Sequence, residues 1–196
     1  MGTWRLVRAP LGIFAALGLG LSALACGGSA PDTEAAPQID SQSEARTVPA
    51  PTMVVLVRHA EKEAVGDDPI LTATGRERAE RLAHVLAEGG LDAVYASQFR
   101  RTQETAEIVA SAIGIDVSIV DARDVEGLAT RIQAEHAGQT VLVVGHSNTV
   151  PAVVRALGAE ASEIPEDEYD DLFVVFVDGE GARAVHLNYG ALSGGD

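Results

Sequence analysis

The sequence predicts an α/β fold, a three-layer α/β/α sandwich whose sheet is mostly parallel and ends in a C-terminal β-hairpin. Two apolar, β-branched runs, 53–57 and 141–144, have the composition of strands buried on both faces. Strand-like and helix-like segments alternate between them, which is the order of a parallel sheet covered by helices on both sides. Near the C terminus only residues 178–181 separate two strand-like runs, so we expect these to pair as a hairpin.

Each predicted strand is a short apolar run bounded by polar or turn-forming residues. In order, the predicted strands are 53–58, 93–96, 117–120, 140–145, 172–177 and 182–187.

The predicted helices lie between these strands and end at glycine, which is the usual residue after a helix C terminus. Their expected ranges are 74–88, 101–113, 125–137 and 149–157, and Pro151 is tolerated in the first turn of the last one. The 3.6-residue period gives the first helix an apolar face of Ala79, Leu82, Ala83, Val85 and Leu86.

Both of the buried runs end in a histidine. Arg58 and His59 follow the first run, and His146 follows the second. Ligands of open α/β sheets bind outside the carboxyl ends of the strands, so both imidazoles are expected to face one crevice. A neutral imidazole is a good phosphoryl acceptor when its other nitrogen holds the proton. A guanidinium binds phosphoryl oxygens and does not lose its charge.

A third segment, 95–106, leads from the end of a short strand into a helix. With the first two segments it resembles the histidine phosphatase superfamily, the phosphoglycerate-mutase-like fold. The resemblance spans about residues 53–157. The matching residues, with Phe99 in a position where the family has leucine, are Arg58, His59, Ser97, Phe99, Arg101, Thr105, Ala106 and His146.

The resemblance implies a phosphatase that works through a phosphohistidine on His59, with Arg58, Arg101 and His146 binding the phosphoryl group. The family spacing selects Arg101 rather than its neighbour Arg100. Residues 100 and 101 lie about 100° apart on a helix, so both cannot face the site. A mutase is disfavoured because the segment after Arg101 lacks a long insertion.

Other assignments stay open at this point. Ser97 either binds phosphate or ends its strand, Asn148 either contacts the anion or caps the following helix, and Lys62 either reaches phosphate or is solvated. We take Glu126 as the candidate proton donor, although acids are also favoured at a helix start. Its rivals are Glu61, Glu63, Asp67, Asp68, Asp170 and Asp171, and the acidic stretch 165–171 is either a solvated loop or a rim of the pocket.

The N-terminal region predicts export. Arg5 and Arg8 precede an apolar run, 11–24, so residues 1–25 have the pattern of a signal peptide. Cys26, the only cysteine, follows Ser22-Ala23-Leu24-Ala25 and resembles the lipidated cysteine of a bacterial lipoprotein; an ordinary cleaved signal is the alternative. Residues 27–51 have almost no apolar content and are expected to form a disordered linker to a histidine phosphatase domain at 52–196.

Composition limits the partners. The formal net charge is −15, and loss of Arg5 and Arg8 with the leader would make it more negative still. So acidic a surface argues against nucleic acid and anionic lipid as partners. The expected contact with a membrane is therefore the lipid anchor at Cys26 alone. No His/Cys cluster has the spacing of a zinc site, and no cofactor is predicted. The expected partner is a phosphorylated small molecule or phosphoprotein; the alternative function is capture of such a ligand without turnover.

Overall fold

The computed structural model describes residues 50–193. The predicted signal peptide, Cys26 and nearly all of the predicted linker lie outside the described residues. Within residues 50–193, no helix has both the length and the apolar character needed to cross a membrane.

Six strands and four helices alternate along the chain until the final hairpin. Their bounds are β1 Thr52–Arg58, α1 Ala73–Leu86, β2 Ala93–Ser97, α2 Arg100–Ile113, β3 Val117–Val120, α3 Val125–Glu135, β4 Thr140–Gly145, α4 Thr149–Ala156, β5 Asp171–Asp178 and β6 Gly181–Asn188.

The strands form one sheet with the order β3-β2-β4-β1-β5-β6. The first four strands in this order are parallel, and β5 pairs antiparallel with β1 and with β6. The carboxyl ends of β3, β2, β4 and β1 therefore share one edge of the sheet. The predicted three-layer fold with a largely parallel sheet and a C-terminal hairpin is confirmed.

Alternate residues of the central strands pack on opposite faces because side chains in a strand alternate in direction. Val54 and Leu56 pack in the core beneath α3 and α4, whereas Val55 and Val57 pack in the core beneath α1 and α2. This division gives the helical layers on both sides of the sheet.

One detail of the predicted first helix is wrong. Val85 is exposed, and Arg78 is buried on the inner face in its place. The buried stripe of α1 contains Gly75, Arg78, Ala79, Leu82, Ala83 and Leu86. Val85 lies beside this stripe rather than on it, since the stripe follows a spacing of three and four residues.

Candidate active site

A cleft of about 310 Å³ lies at the carboxyl ends of the parallel strands. Its wall comes from the strand ends and from the loops that follow them, as expected for an open α/β sheet. The lining residues are Arg58, His59, Lys62, Gln98, Phe99, Arg101, Ala122, Arg123, His146, Ser147, Asn148, Thr149 and Glu166. The structure thus brings Arg58, His59, Arg101 and His146 to one cavity.

His59 is buried directly after β1, and its ring is oriented by the backbone. Its Nδ1 lies 2.8 Å from the carbonyl oxygen of Ala60. A carbonyl can only accept, so Nδ1 carries the proton and Nε2 keeps its lone pair. Burial lowers the pKa of His59 to about 3. The hydrogen bond to Ala60 acts in the opposite direction and raises the pKa, whereas the positive charge of Arg58 lowers it further. The ring is therefore neutral at ordinary pH, with the lone pair of Nε2 free of a proton.

His146 follows β4 and is oriented by hydroxyl groups. Its Nε2 lies 2.9 Å from the Oγ of Ser97, and that Oγ lies 2.8 Å from the Oγ1 of Thr102. The Oγ1 of Thr102 in turn donates toward the carbonyl oxygen of Phe99 at 2.7 Å. All three side chains in this chain of hydrogen bonds are buried.

The tautomer of His146 follows from its other neighbour. Nη2 of Arg101 lies 3.4 Å from Nδ1 of His146, and a guanidinium can only donate. Nδ1 is thus the acceptor, and Nε2–H donates to Ser97. Burial lowers the pKa of His146 to about 4, with Arg101 and Arg58 adding to the effect. The two imidazole rings stand edge to face with centroids 5.4 Å apart.

Arg101 and Arg100 occupy different surroundings, although they are neighbours in the first turn of α2. The Arg101 side chain is 15 % exposed, lies over the ring of Phe99 at 4.5 Å and has Asp68 as an ion-pair partner at 3.6 Å. Its Nε is buried without a hydrogen-bond partner among the described residues. Arg100 is 60 % exposed and pairs with Glu104.

Arg58 is 2 % exposed and already has many partners. Its Nη1 donates to the carbonyl oxygens of Pro165, Glu166 and Glu168, at 2.9, 2.8 and 2.8 Å. Its guanidinium also lies 4.2 Å from the centre of the Tyr169 ring. Arg58 therefore fixes the loop before β5 against the cleft, in addition to supplying positive charge there.

Glu166 is the carboxylate that lines the cleft among the described residues. Its Oε1 accepts from the Oγ of Ser147 at 2.6 Å, and its Oε2 lies 3.3 Å from Nη2 of Arg58. Of the two interpretations of the acidic stretch, the rim of the pocket therefore holds for Glu166.

The other predicted site residues divide into two groups. Lys62 and Asn148 line the cleft, and Asn148 also occupies the cap position of α4 without making a side-chain cap hydrogen bond. Ser97 ends β2 and binds His146 rather than lining the cleft. Glu126, the candidate proton donor, is exposed in the first turn of α3 and does not line the cleft.

The rival acids of the first loop are also engaged elsewhere or exposed. Glu61 binds buried Arg78 through both carboxylate oxygens, and Asp68 accepts from the backbone of Arg100. Glu63 and Asp67 are exposed and line no part of the cleft.

The two remaining rivals hold the C-terminal segment. Asp170 accepts from Asn188 and Ser193, and Asp171 contacts His186. These contacts leave neither carboxylate among the groups that line the cleft.

Sequence reasoning missed several residues of the site. Glu166 was covered only as part of the acidic stretch 165–171, and Ser147 was assigned no role, because acidic loops and serines after a strand are common. Arg78 did have a signal: it stands four residues before Leu82 and eight before Leu86, on the apolar face of α1, where a solvated arginine is not expected. Its guanidinium also donates to the carbonyl oxygens of Tyr189 and Ala191, so it joins the loop after His59 to the end of the described chain.

No cluster of three or more potential metal-ligating side chains occurs within residues 50–193.

Comparison with known proteins agrees with this geometry. Residues 54–123, which include Arg58, His59 and Arg101, match the family model described as histidine phosphatase superfamily (branch 1). No curated protein matches the sequence.

Solved structures of the same fold cover most of the chain. The protein histidine phosphatase SixA complexed with tungstate has a TM-score of 0.55 and 21 % identity, over 72 % of this chain and 96 % of that chain. A candidate phosphohistidine phosphatase SixA from Agrobacterium tumefaciens has a TM-score of 0.55 and 25 % identity, over 72 % of this chain and 99 % of that one.

A mycobacterial glucosyl-3-phosphoglycerate phosphatase has a TM-score of 0.56 and 16 % identity, over 71 % of this chain and 98 % of that chain. The chain therefore matches the histidine phosphatase superfamily in sequence over residues 54–123, and its domain has the fold of these phosphatases.

Proposed function

We propose that the protein is a phosphatase that hydrolyses a phosphomonoester or a phosphoprotein through a phosphohistidine on His59. The observation that carries the proposal is the orientation of His59: Nδ1–H donates to Ala60, so the lone pair of Nε2 is available beside Arg101 and His146. A group that only bound phosphate would not need an oriented nucleophile. The phosphatases with the same fold support the reaction class.

The proposed reaction has two steps. In the first, the lone pair of His59 Nε2 attacks phosphorus, the bond from phosphorus to the leaving oxygen breaks, and that oxygen takes a proton from water. In the second, the resulting hydroxide attacks phosphorus, the N–P bond breaks, and its electron pair returns to Nε2. One water is consumed, and the products are an alcohol and inorganic phosphate. Throughout both steps the proton remains on Nδ1 of His59, which keeps its hydrogen bond to the carbonyl oxygen of Ala60.

The cations of the cleft stabilise the charge that spreads over the phosphoryl oxygens in the transition state. Arg101 is the principal donor, because its side chain lines the cleft and pairs with one carboxylate, that of Asp68, whereas three backbone carbonyls already accept from Arg58. His146 is neutral and accepts from the Arg101 guanidinium through Nδ1, which orients Arg101, and Arg58 adds a second guanidinium. This fixed positive charge removes the need for a metal ion, so we propose that no cofactor takes part.

Export and lipid anchoring remain proposals from the sequence. The leader pattern of residues 1–25, followed by Cys26 and a polar linker, supports a phosphatase tethered to the cell envelope. Labelling of the expressed protein with a radioactive fatty acid tests this, with Cys26→Ala as the control. An unlabelled wild-type protein would contradict the anchor.

A second candidate function is capture of a phosphorylated ligand without turnover. The observation that favours it is the short supply of proton donors. Among the described residues Glu166 is the one carboxylate that lines the cleft, and it already contacts Ser147 and Arg58. Even without a proton donor, the enzyme could still hydrolyse substrates whose leaving oxygen is stable without a proton.

Assays of p-nitrophenyl phosphate and phosphopeptides, with and without chelator, test the phosphatase against the binding protein. We expect His59→Ala to abolish turnover while His84→Ala, at an exposed position of α1, does not. Acid-labile, base-stable phosphate should accumulate on the wild-type protein only. Substantial residual turnover in His59→Ala would overturn the covalent route, and loss of activity in chelator that added metal restores would overturn metal independence.

A further inference from the structure

The cleft holds more positive charge than the phosphoryl group requires. Arg58 and Arg101 are the cations beside the two neutral histidines, yet Arg123 and Lys62 line the same cleft. Arg123 follows β3, the outermost of the parallel strands. No role in the proposed reaction uses it.

Sheet order places Arg123 away from the reacting atoms. His59 follows β1 and His146 follows β4, while β2 lies between β4 and β3. Neighbouring strands are about 4.8 Å apart, so the end of β3 lies roughly 10 Å from the end of β4. Arg123 therefore lines the cleft on its β3 side, away from the strand ends that carry His59 and His146.

The loop that carries Arg123 is held in place. The Oε1 of Gln98, at the end of β2, accepts from the backbone N–H of Ala122 at 2.9 Å. The carboxylate of Asp121 accepts from the backbone N–H of Arg123 at 2.9 Å. These two hydrogen bonds fix the start of the side chain, while the guanidinium itself makes no hydrogen bond with any of residues 50–193.

Arg123 is exposed, and the carboxylate of Asp121 contacts its backbone N–H rather than its guanidinium. Within residues 50–193 neither Arg123 nor Lys62 forms an ion pair, whereas Arg101 has Asp68 and Arg58 has Glu166. Glu166 binds Ser147 and Arg58 at the ends of β4 and β1, which is the opposite end of the cleft from Arg123. In a chain with a net charge of −15, an unpaired arginine lining a cleft is a local site for an anion.

We propose that Arg123 forms a second anion subsite, which selects phosphomonoesters whose leaving group carries another anionic group about 10 Å or less from phosphorus. Lys62 adds positive charge to the same cleft. This inference rests on the proposed phosphatase function and names its substrate class. The second anion is a carboxylate or another phosphoryl group, because a guanidinium binds both.

Two matched aryl phosphates test the subsite. 4-Carboxyphenyl phosphate and 4-carbamoylphenyl phosphate have the same shape and differ in one negative charge. We expect wild-type kcat/KM to favour the carboxylate on the order of fivefold at low salt, and the preference to shrink as ionic strength rises. Arg123→Gln should bring the ratio close to one. Arg131→Gln, an exposed arginine of α3 that does not line the cleft, should keep it.

Binding separates failure of the subsite from failure of the phosphatase. The affinity of both compounds for His59→Ala, measured by calorimetry, should show the same preference and the same dependence on Arg123. The affinity for 4-phosphonooxyphenyl phosphate, compared with that for 4-carboxyphenyl phosphate, shows whether the subsite prefers a second phosphoryl group or a carboxylate. Equal affinity for the charged and neutral compounds, or a preference that survives Arg123→Gln, would overturn the subsite. Preferential binding without turnover by the wild type would support the subsite and contradict the phosphatase.

Discussion

At the end of β1, His59 is oriented by a single backbone carbonyl, whereas at the end of β4 the ring of His146 depends on the hydroxyl groups of Ser97 and Thr102. The arginines differ in the same direction. Arg58 has three backbone carbonyls as partners, and Arg101 contacts only side chains. The β1 half of the cleft is thus built largely by the main chain, and the β4 half by side chains. Substitution of the arginine should therefore alter mainly stability in the first half, at Arg58, and mainly catalysis in the second half, at Arg101.

Among the variants that compare the two halves, the largest effect is expected for Arg101. Arg101→Ala should lower kcat/KM about a hundredfold, since a charge-assisted contact to the transition state contributes on the order of 3 kcal/mol. Arg100→Ala should change it by less than about threefold, as exposed substitutions usually do. Steady-state kinetics of both variants give the ratio. A greater loss in Arg100→Ala would shift the assigned motif by one residue.

Arg58 tests the main-chain half. Arg58→Ala leaves the carbonyl oxygens of Pro165, Glu166 and Glu168 without their donor, so the free energy of unfolding should fall by about 2 to 4 kcal/mol. Arg101→Ala should lower the free energy of unfolding by less than about 1 kcal/mol. Urea unfolding with equal m-values measures both. Equal destabilisation by the two substitutions would contradict the distinction between the halves.

Ser97 tests the side-chain half. Ser97→Ala removes the acceptor of His146 Nε2–H, and we expect kcat/KM to fall about tenfold with little change in stability beyond one hydrogen bond. Thr102→Val should have a smaller effect, and Thr102→Ser, which keeps the hydroxyl, should restore activity. NMR of the ring nitrogens reports the tautomer directly. An unchanged tautomer and unchanged kinetics in Ser97→Ala would exclude the positioning role.

The smallest expected effect is on pH dependence. The pKa of His59 is lowered to about 3 and that of His146 to about 4, below the ordinary value of 6.5. Below pH 6.5 the unfolded chain therefore binds more protons, so the free energy of unfolding falls as pH drops from 6.5 toward 4. Neither ring should titrate between about pH 5 and pH 8 in NMR spectra. A midpoint near 6.5 for either ring would contradict the burial of its site.

Sequence patterns predicted the strands and helices because the central strands are continuous apolar runs and glycines end the helices. Which edge of the sheet the final hairpin joins was not predictable, since the loop from 158 to 170 carries no information on register. The antiparallel pairing of β5 with β1 depends on tertiary packing alone.

The candidate site was predictable where a motif places a side chain at a strand end, as for His59 and His146. It was not predictable where the partner comes from a distant loop. Glu166 reaches the cleft only because Arg58 binds the backbone of its loop. Glu126 matched the expected region of the chain but belongs to the exposed first turn of α3.

The hydrogen bonds of Arg58 also set the order of events during synthesis. Its carbonyl partners lie 107 to 110 positions later in the chain. Arg78 likewise donates to the carbonyl oxygen of Ala191, 113 positions later. At ribosomal speeds of about 5 to 20 residues per second, Arg58 emerges roughly 5 to 20 seconds before its partners exist. A nascent chain that stops before residue 165 has the strands β1 and β4 but no anchored arginine. The cleft is therefore among the last parts of the domain to form.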